Sequence, residues 1–279
     1  MLKSLYWRVN FFFKNRKSKR LKKRLGDNTS ALTVNTKNGT FIVDAADLEV
    51  GGKLRNKGEY GIDEINRISK FIDNQSSVLI VGAHIGSLAI PVAKICSELV
   101  AIEANPNNFK LLQTNIKLND ILNITTHNIA ASEREETIQF QLNTVNSGGS
   151  KRVPVNNHYM YTYDNPKVIT VEAHSLDNYL PNNNFDLVLI DIEGSEYFAM
   201  QGMTNILANT KTLIVEFLPH HITNVAGVNL TNFLDNIPNH LTKLTIPSKD
   251  KTYPIDVGIV TLQQMFESGQ GDDGIIFHN

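Results

Sequence analysis

The chain has 279 residues, 41% of them hydrophobic, enough for the core of one α/β domain with extensions and too little for two full domains. Its single cysteine, Cys96, excludes a disulfide framework and a thiolate cluster, and suits a reducing cytoplasm. The net charge of −1 hides an asymmetry: residues 1–24 carry ten Lys or Arg and no acid, which leaves 17 basic against 28 acidic residues in the rest.

Within that basic arm Leu2, Leu5, Tyr6, Val9, Phe12 and Phe13 recur at three- and four-residue spacing, which predicts an amphipathic helix. Its charge suits peripheral contact with an anionic membrane surface; a helix packed on its own domain is the alternative, and both stay open. Arg8 and Asn10 interrupt the apolar stretch, so it is neither a membrane span nor a signal h-region. Nucleic acid ranks last as a partner, because the acidic body repels a polyanion. Residues 31–43 alternate around Asn38 and Gly39 and predict a hairpin. Residues 1–50 therefore read as a basic arm with an accessory hairpin, and residues 51–279 as the main domain. A helix is expected from Ile62 to Ile72, with Glu59 and Tyr60 just before it.

Residues 78–103, VLIVGAHIGSLAIPVAKICSELVAIE, read as an apolar strand, a GxxxG turn, a helix of two to three turns and a second apolar strand ending on Glu103. Gly82 and Gly86 free the backbone for a ligand to lie against the turn, and Glu103 can accept hydrogen bonds from two ribose hydroxyls. The turn is not the GxGxxG that seats a pyrophosphate, and no lysine occupies a P-loop position. A ribose-bearing cofactor without a phosphate bridge fits better, S-adenosylmethionine being the commonest; an NAD-dependent oxidoreductase is disfavoured.

Further along, Asn105 with Pro106 marks the start of a helix over 106–119, and residues 124–127 read as the third core strand. Asn128, Ala130 and Ser132 follow it. Residues 136–172 look like an insertion of short strands around a polar loop, in which Tyr159, Tyr161 and Tyr163 alternate as in a strand that either stacks on an acceptor or forms an ordinary exposed or half-buried hairpin. Strands are also expected at 185–190, 212–217 and 241–246, with a last one in GDDGIIFHN.

The motifs VGAHIG, IEANP, SLDNYL, FDLVLIDIEGSEYFAMQGM and TLIVEFLPHH, in that order from about Leu54 to Phe217, resemble the FkbM family of S-adenosylmethionine-dependent methyltransferases, whose hallmark is a strand running into D-x-E-G-x-E. The chain departs from the family pattern at Ile80, His84 and Leu189, where an aspartate, an asparagine and a lysine are usual. The resemblance implies an α/β fold, a Rossmann-like class I methyltransferase sheet with helices on both faces, here with an N-terminal helix and hairpin extension. It implies cofactor contacts from Gly82, Ala83, His84, Gly86, Glu103, Ala104, Asn105, Asn128, Ala130 and Asp191. Chemistry falls to Asp191, Glu193, Glu196 and His84, with two alternatives open: the histidine is either a base titrating near neutral pH or a hydrogen-bond partner of backbone groups, and Glu196 either acts on the acceptor or opens the next helix, where an acid is favoured.

The implied reaction is O-methylation of a hydroxyl on a small-molecule, sugar, glycan, lipid-linked or natural-product acceptor, in the cytoplasm or peripherally at a membrane. A catalytically silent or repurposed cofactor-binding scaffold is the rival. Asp191 and Glu193 with His220 or His221 offer metal-type ligands, but no spacing is diagnostic and no metal is expected.

Overall fold

In a computed structural model, which describes residues 2–26, 28–180 and 184–279 with side chains from Arg8 onward, the apolar runs pair into a mixed sheet of eight strands. The chain opens with helix α1 (Leu2–Leu25) and the hairpin β1 (Ala31–Thr36) and β2 (Gly39–Asp44). The core begins with β3 (Ser77–Val81), β4 (Glu98–Ile102) and β5 (Ile124–His127). A four-stranded sheet follows from β6 (Ala130–Ala131), β7 (Glu136–Leu142), β8 (Lys151–Arg152) and β9 (Lys167–His174). The core then resumes with β10 (Leu187–Ile190), β11 (Thr212–Phe217), β12 (Lys243–Ile246), β13 (Lys251–Pro254) and β14 (Asp272–His278).

The large sheet runs β13-β12-β14-β11-β10-β3-β4-β5. Strands β11, β10, β3, β4 and β5 are parallel, and β14 lies antiparallel between β11 and β12. This is a Rossmann-like arrangement. The order reverses between β3 and β10, where ligands bind beyond the carboxyl ends of such strands.

Alternation along the strands explains the two layers of core. Leu79 and Val81 of β3, Val188 and Ile190 of β10 and Leu213 and Val215 of β11 face one side, against Met200, Met203, Leu262 and Met265. Val78, Ile80, Leu187, Leu189 and Ile214 face the other, against Ile68, Ile90 and Leu112. Strands covered on both faces read as continuous apolar runs. Ile80 and Leu189, two departures from the family pattern, belong to the second layer and are 1% and 2% exposed.

The hairpin is built into this layer. Phe41 and Val43 are fully buried within it, and Asn115 and Asn119 hydrogen-bond the β2 backbone at Ile42 and Thr40. Its turn residue Asn38 donates to the carbonyls of Tyr60 and Ser87 and accepts from Tyr60 N–H. The hairpin therefore braces the segment that precedes the core.

Several local expectations are corrected. The helix after Gly86 spans only Ala89–Ala93, because Pro91 supplies no N–H and the chain leaves the helix through a turn at Ile95 and Cys96. The helix at Ile62 ends at Ile68, and the chain continues as a turn. Tyr159, Tyr161 and Tyr163 are not strand residues: Tyr159–Thr162 is a short helix whose cap, His158, accepts from Met160 N–H. The segment after 246 adds β13 and a helix, Ile255–Ser268, that the sequence reading does not anticipate.

Candidate functional site

A cavity of about 860 Å³ opens at the carboxyl ends of β3, β4, β10 and β11. Such a volume suits a cofactor-sized ligand together with an acceptor. Its floor is the turn after β3. Gly82 and Ala83 both donate to the carbonyl of Ile102 at 2.9 Å, which ties this turn to the end of β4. Gly82 has φ +97°, and a Cβ there would fall 1.8 Å from the Asp191 carbonyl oxygen, so the end of β3 meets the end of β10 only with glycine.

Glu103 is buried at the end of β4 and lines the cavity. Its Oε2 accepts from His84 N–H at 2.8 Å and its Oε1 from Asn105 N–H at 2.7 Å. Burial pushes its carboxyl up to about 7, against the pull of those two N–H groups. An ionised carboxylate has about four lone-pair positions, so acceptor capacity remains for ribose hydroxyls.

His84 sits in the turn at φ +51°. Its Nε2 lies 2.8 Å from Ser147 Oγ, and that hydroxyl donates to Asp47 Oδ2 at 2.9 Å. Ser147 must then accept from His84, which places the ring proton on Nε2 and leaves Nδ1 as an acceptor. That Nδ1 is buried without a partner among the described residues, and His84 is part of the cavity wall. Burial lowers its pKa to about 4, so the expected base titrating near neutral pH is not what the structure presents.

After β10 the chain turns through Asp191, Ile192, Glu193 and Gly194, with Glu193 at φ +58° and Gly194 at φ +105°. A left-handed glutamate at a site wall is a strained conformation, held here by its surroundings. Glu196 does the holding: its Oε1 accepts from Ile192 N–H at 2.9 Å and Gly194 N–H at 3.1 Å. It is 2% exposed and does not line the cavity, so the structure gives it a turn-fixing role in place of the expected action on an acceptor.

Asp191 and Glu193 do line the cavity, and Glu216 joins them from the end of β11. The β11–β14 register shifts between Val215 and Phe217, a bulge that re-aims the intervening residue. Glu193 Oε2 lies 2.9 Å from Lys151 Nζ and 3.5 Å from His221 Nε2, while His221 Nδ1 lies 3.0 Å from Glu216 Oε2. Donor atoms of Glu193, Glu216 and His221 thus come within 4.8 Å of one another, with the buried Lys151 ammonium as a cation beside them.

Burial and then the neighbouring Glu193, Glu64, Glu196 and Asp273 raise the Asp191 carboxyl well above its usual range. Burial and the charges of Asp191 and Glu193 do the same for Glu216. Burial lowers the His221 imidazole well below its usual value, and Lys151 lowers it further.

Other expected contacts fall outside the cavity. Gly86 packs where a Cβ would come 2.9 Å from Leu112, so its role is helix packing. Asn105 caps the helix Pro106–Leu118, accepting from Asn107 N–H, and Asn128 donates to the carbonyl of Glu103. Ala83, Ala104 and Ala130 line the cavity, as do Glu59 and Tyr60; Ser132 is buried and hydrogen-bonds Glu136. Tyr161 is buried against His220, and Tyr163 stacks on Phe11. Glu64 and Asp273 line the cavity without any motif to announce them.

A family model described as the methyltransferase FkbM domain matches residues 81–255. The chain is similar to the FkbM methyltransferase from Methylobacillus flagellatus KT, with 19% identity and a TM-score of 0.43 over 74% of this chain and 44% of that one. It is similar to M. jannaschii TYW2 in complex with AdoMet, with 17% identity and a TM-score of 0.41 over 68% and 63% of the two chains. For Trm5b from Pyrococcus abyssi the values are 14% and 0.42, over 75% and 47%. The chain thus spans about half the length of these structures. No curated protein matches it.

Proposed function

The chain belongs to the FkbM methyltransferase family, and we propose that it transfers a methyl group from S-adenosylmethionine to a hydroxyl on a sugar, glycan, lipid-linked or natural-product acceptor. One observation carries this reading: the glycine turn after β3, the buried Glu103 and the carboxylates of Asp191 and Glu193 line a single cavity. The cofactor, when bound, supplies a methyl group already activated as a sulfonium.

The protein's task is then alignment and exclusion of water. The backbone of Gly82–His84 lies against the cofactor, Glu103 accepts from its ribose, and the unpartnered His84 Nδ1 accepts a donor from it. Asp191 faces its amino acid end. Ile80 offers no carboxylate there, and Glu64 and Asp273, which line the same cavity, take that part. Glu193 receives the acceptor's hydroxyl proton. Lys151 and His221 hold its carboxylate in place.

Incubation with S-adenosylmethionine carrying a labelled methyl group and a panel of hydroxylated acceptors tests this. An alkali-stable methyl ether, lost in Glu193→Gln, is expected. Label found on nitrogen or on RNA would overturn the assignment. Ile80 and Leu189, apolar where the family carries charge, favour a second reading as a binding scaffold. Cofactor binding with no transfer to any acceptor would decide for it.

A further inference from the structure

Helix α1 rests on the body by one face. Phe11 stacks on Tyr163 with ring centroids 4.3 Å apart, and Asn15 donates to the Tyr163 carbonyl at 3.1 Å. Lys14 pairs with Glu49, and Ser18 Oγ donates to the Ala46 carbonyl at 2.6 Å. These four positions follow the three- and four-residue spacing of a single helix face.

The same spacing puts Val9, Phe12, Phe13, Arg16, Arg20 and Arg24 on the opposite face. Val9, Phe12 and Phe13 are 47%, 53% and 62% exposed. Arg16, Arg20 and Arg24 are exposed as well, and no ion pair is formed by them among the described residues. The helix carries no acid. Docking on the body has thus turned two phenylalanines and a run of unpaired cations outward together.

We propose that this outer face seats the protein on an anionic lipid surface, with Val9, Phe12 and Phe13 entering the headgroup boundary and the arginines meeting lipid phosphates. Charge and shape select this occupant. A nucleic acid would answer the arginines but leave the apolar cluster exposed, and a second copy would set like charges against each other. Among the described residues no helix is long and apolar enough to cross a membrane, so the contact is peripheral. Glu49, the partner of Lys14, also lines the cavity, so the seated helix holds the cavity wall beside the membrane. Resting on the methyltransferase reading, this favours lipid-linked hydroxyls among the acceptors.

Co-sedimentation of the full chain with phosphatidylcholine vesicles, with and without phosphatidylglycerol, tests the proposal. Pelleting is expected only with phosphatidylglycerol. Binding should weaken on the order of fivefold for each charge removed in Arg16→Gln and Arg20→Gln. It should weaken on the order of tenfold in the Phe12→Ser, Phe13→Ser double variant. Circular dichroism melting establishes that each variant is folded. Equal pelleting on both vesicle types, or variants that bind like wild type, would overturn the proposal. So would vesicle-independent dimerisation or RNA binding that the same substitutions abolish. Cofactor titration is read separately, so failure of the membrane contact and failure of the methyltransferase reading are distinguishable.

Discussion

Gly82 and Asp191 meet at backbone level: a Cβ on the glycine would lie 1.8 Å from the aspartate's carbonyl oxygen. Strands β3 and β10 are neighbours in parallel register, and this contact brings the turn after one against the carboxylate turn after the other. The glycine-turn side and the carboxylate side of the cavity wall are joined through it.

Gly82→Ala should therefore damage the fold as well as the site. The substitution adds left-handed strain and a steric overlap with backbone that cannot rotate away, together costing about 3 kcal/mol or more. Chemical denaturation measures the loss. A variant as stable as wild type would mean that the two strand ends can separate.

Glu193 and Glu196 should separate by phenotype although they stand three residues apart. Glu196→Ala leaves the buried Gly194 N–H and the partly buried Ile192 N–H without an acceptor, at a cost of about 1–3 kcal/mol for the buried one and less for the other. Glu193→Gln keeps a polar partner for the buried Lys151 ammonium but removes its counter-charge, so it should cost up to about 3–5 kcal/mol, and the folded variant should lose methyl transfer. Denaturation curves and a transfer assay on both variants check this; intact activity in Glu193→Gln would remove it from the proposed proton transfer.

Much of the fold is legible in the sequence because its strands are buried on both faces and stand out as apolar runs; β3, β4, β10 and β11 are of this kind. The helix Ile255–Ser268 is not, because the buried Gly258, Leu262 and Met265 alternate with exposed Val257, Ile259 and Val260, which blurs the helical period. Within the site, residues beside a glycine turn can be found by motif. Whether they face the cavity depends on where their carboxylates find N–H groups, as the opposite placements of Glu193 and Glu196 illustrate. Lys151, Glu64 and Asp273 converge from distant segments, a proximity that no local pattern encodes.

Asn105→Ala tests a smaller point. Its side chain caps the helix Pro106–Leu118, so the variant should lose about 1 kcal/mol of stability. Asn105 does not line the cavity, and cofactor affinity should change little. A large loss of affinity with stability unchanged would return Asn105 to the set of cofactor contacts.

The carboxylates dictate a pH dependence. Glu64 and Glu103 are raised by burial to about 7, and Asp191 and Glu216 are raised well above their ordinary values. Between the ordinary carboxylate range and these values the folded state binds more protons than the unfolded one, so this stabilisation is present at acidic pH and fades as pH rises through about 7. His84, lowered to about 4, and His221, His220 and His127, lowered as well, act in the opposite sense only below their unfolded value near 6.5. From pH 6 to 8 the ligand-free protein should therefore lose stability, by up to about 1.4 kcal/mol per pH unit for each proton released. Thermal melts across that interval should show a falling Tm, with a shallower slope in Glu64→Gln. A rising Tm would show that these carboxylates ionise normally in the folded state.

The most direct measurement is calorimetric titration of the folded protein with S-adenosylmethionine, alongside Glu103→Ala. Micromolar binding that weakens at least about tenfold in the variant is expected, since a lost hydrogen bond to a charged group costs roughly 1.5–3 kcal/mol. Absence of binding to the wild type, or equal binding to both proteins, would contradict the assignment of this cavity as the cofactor site.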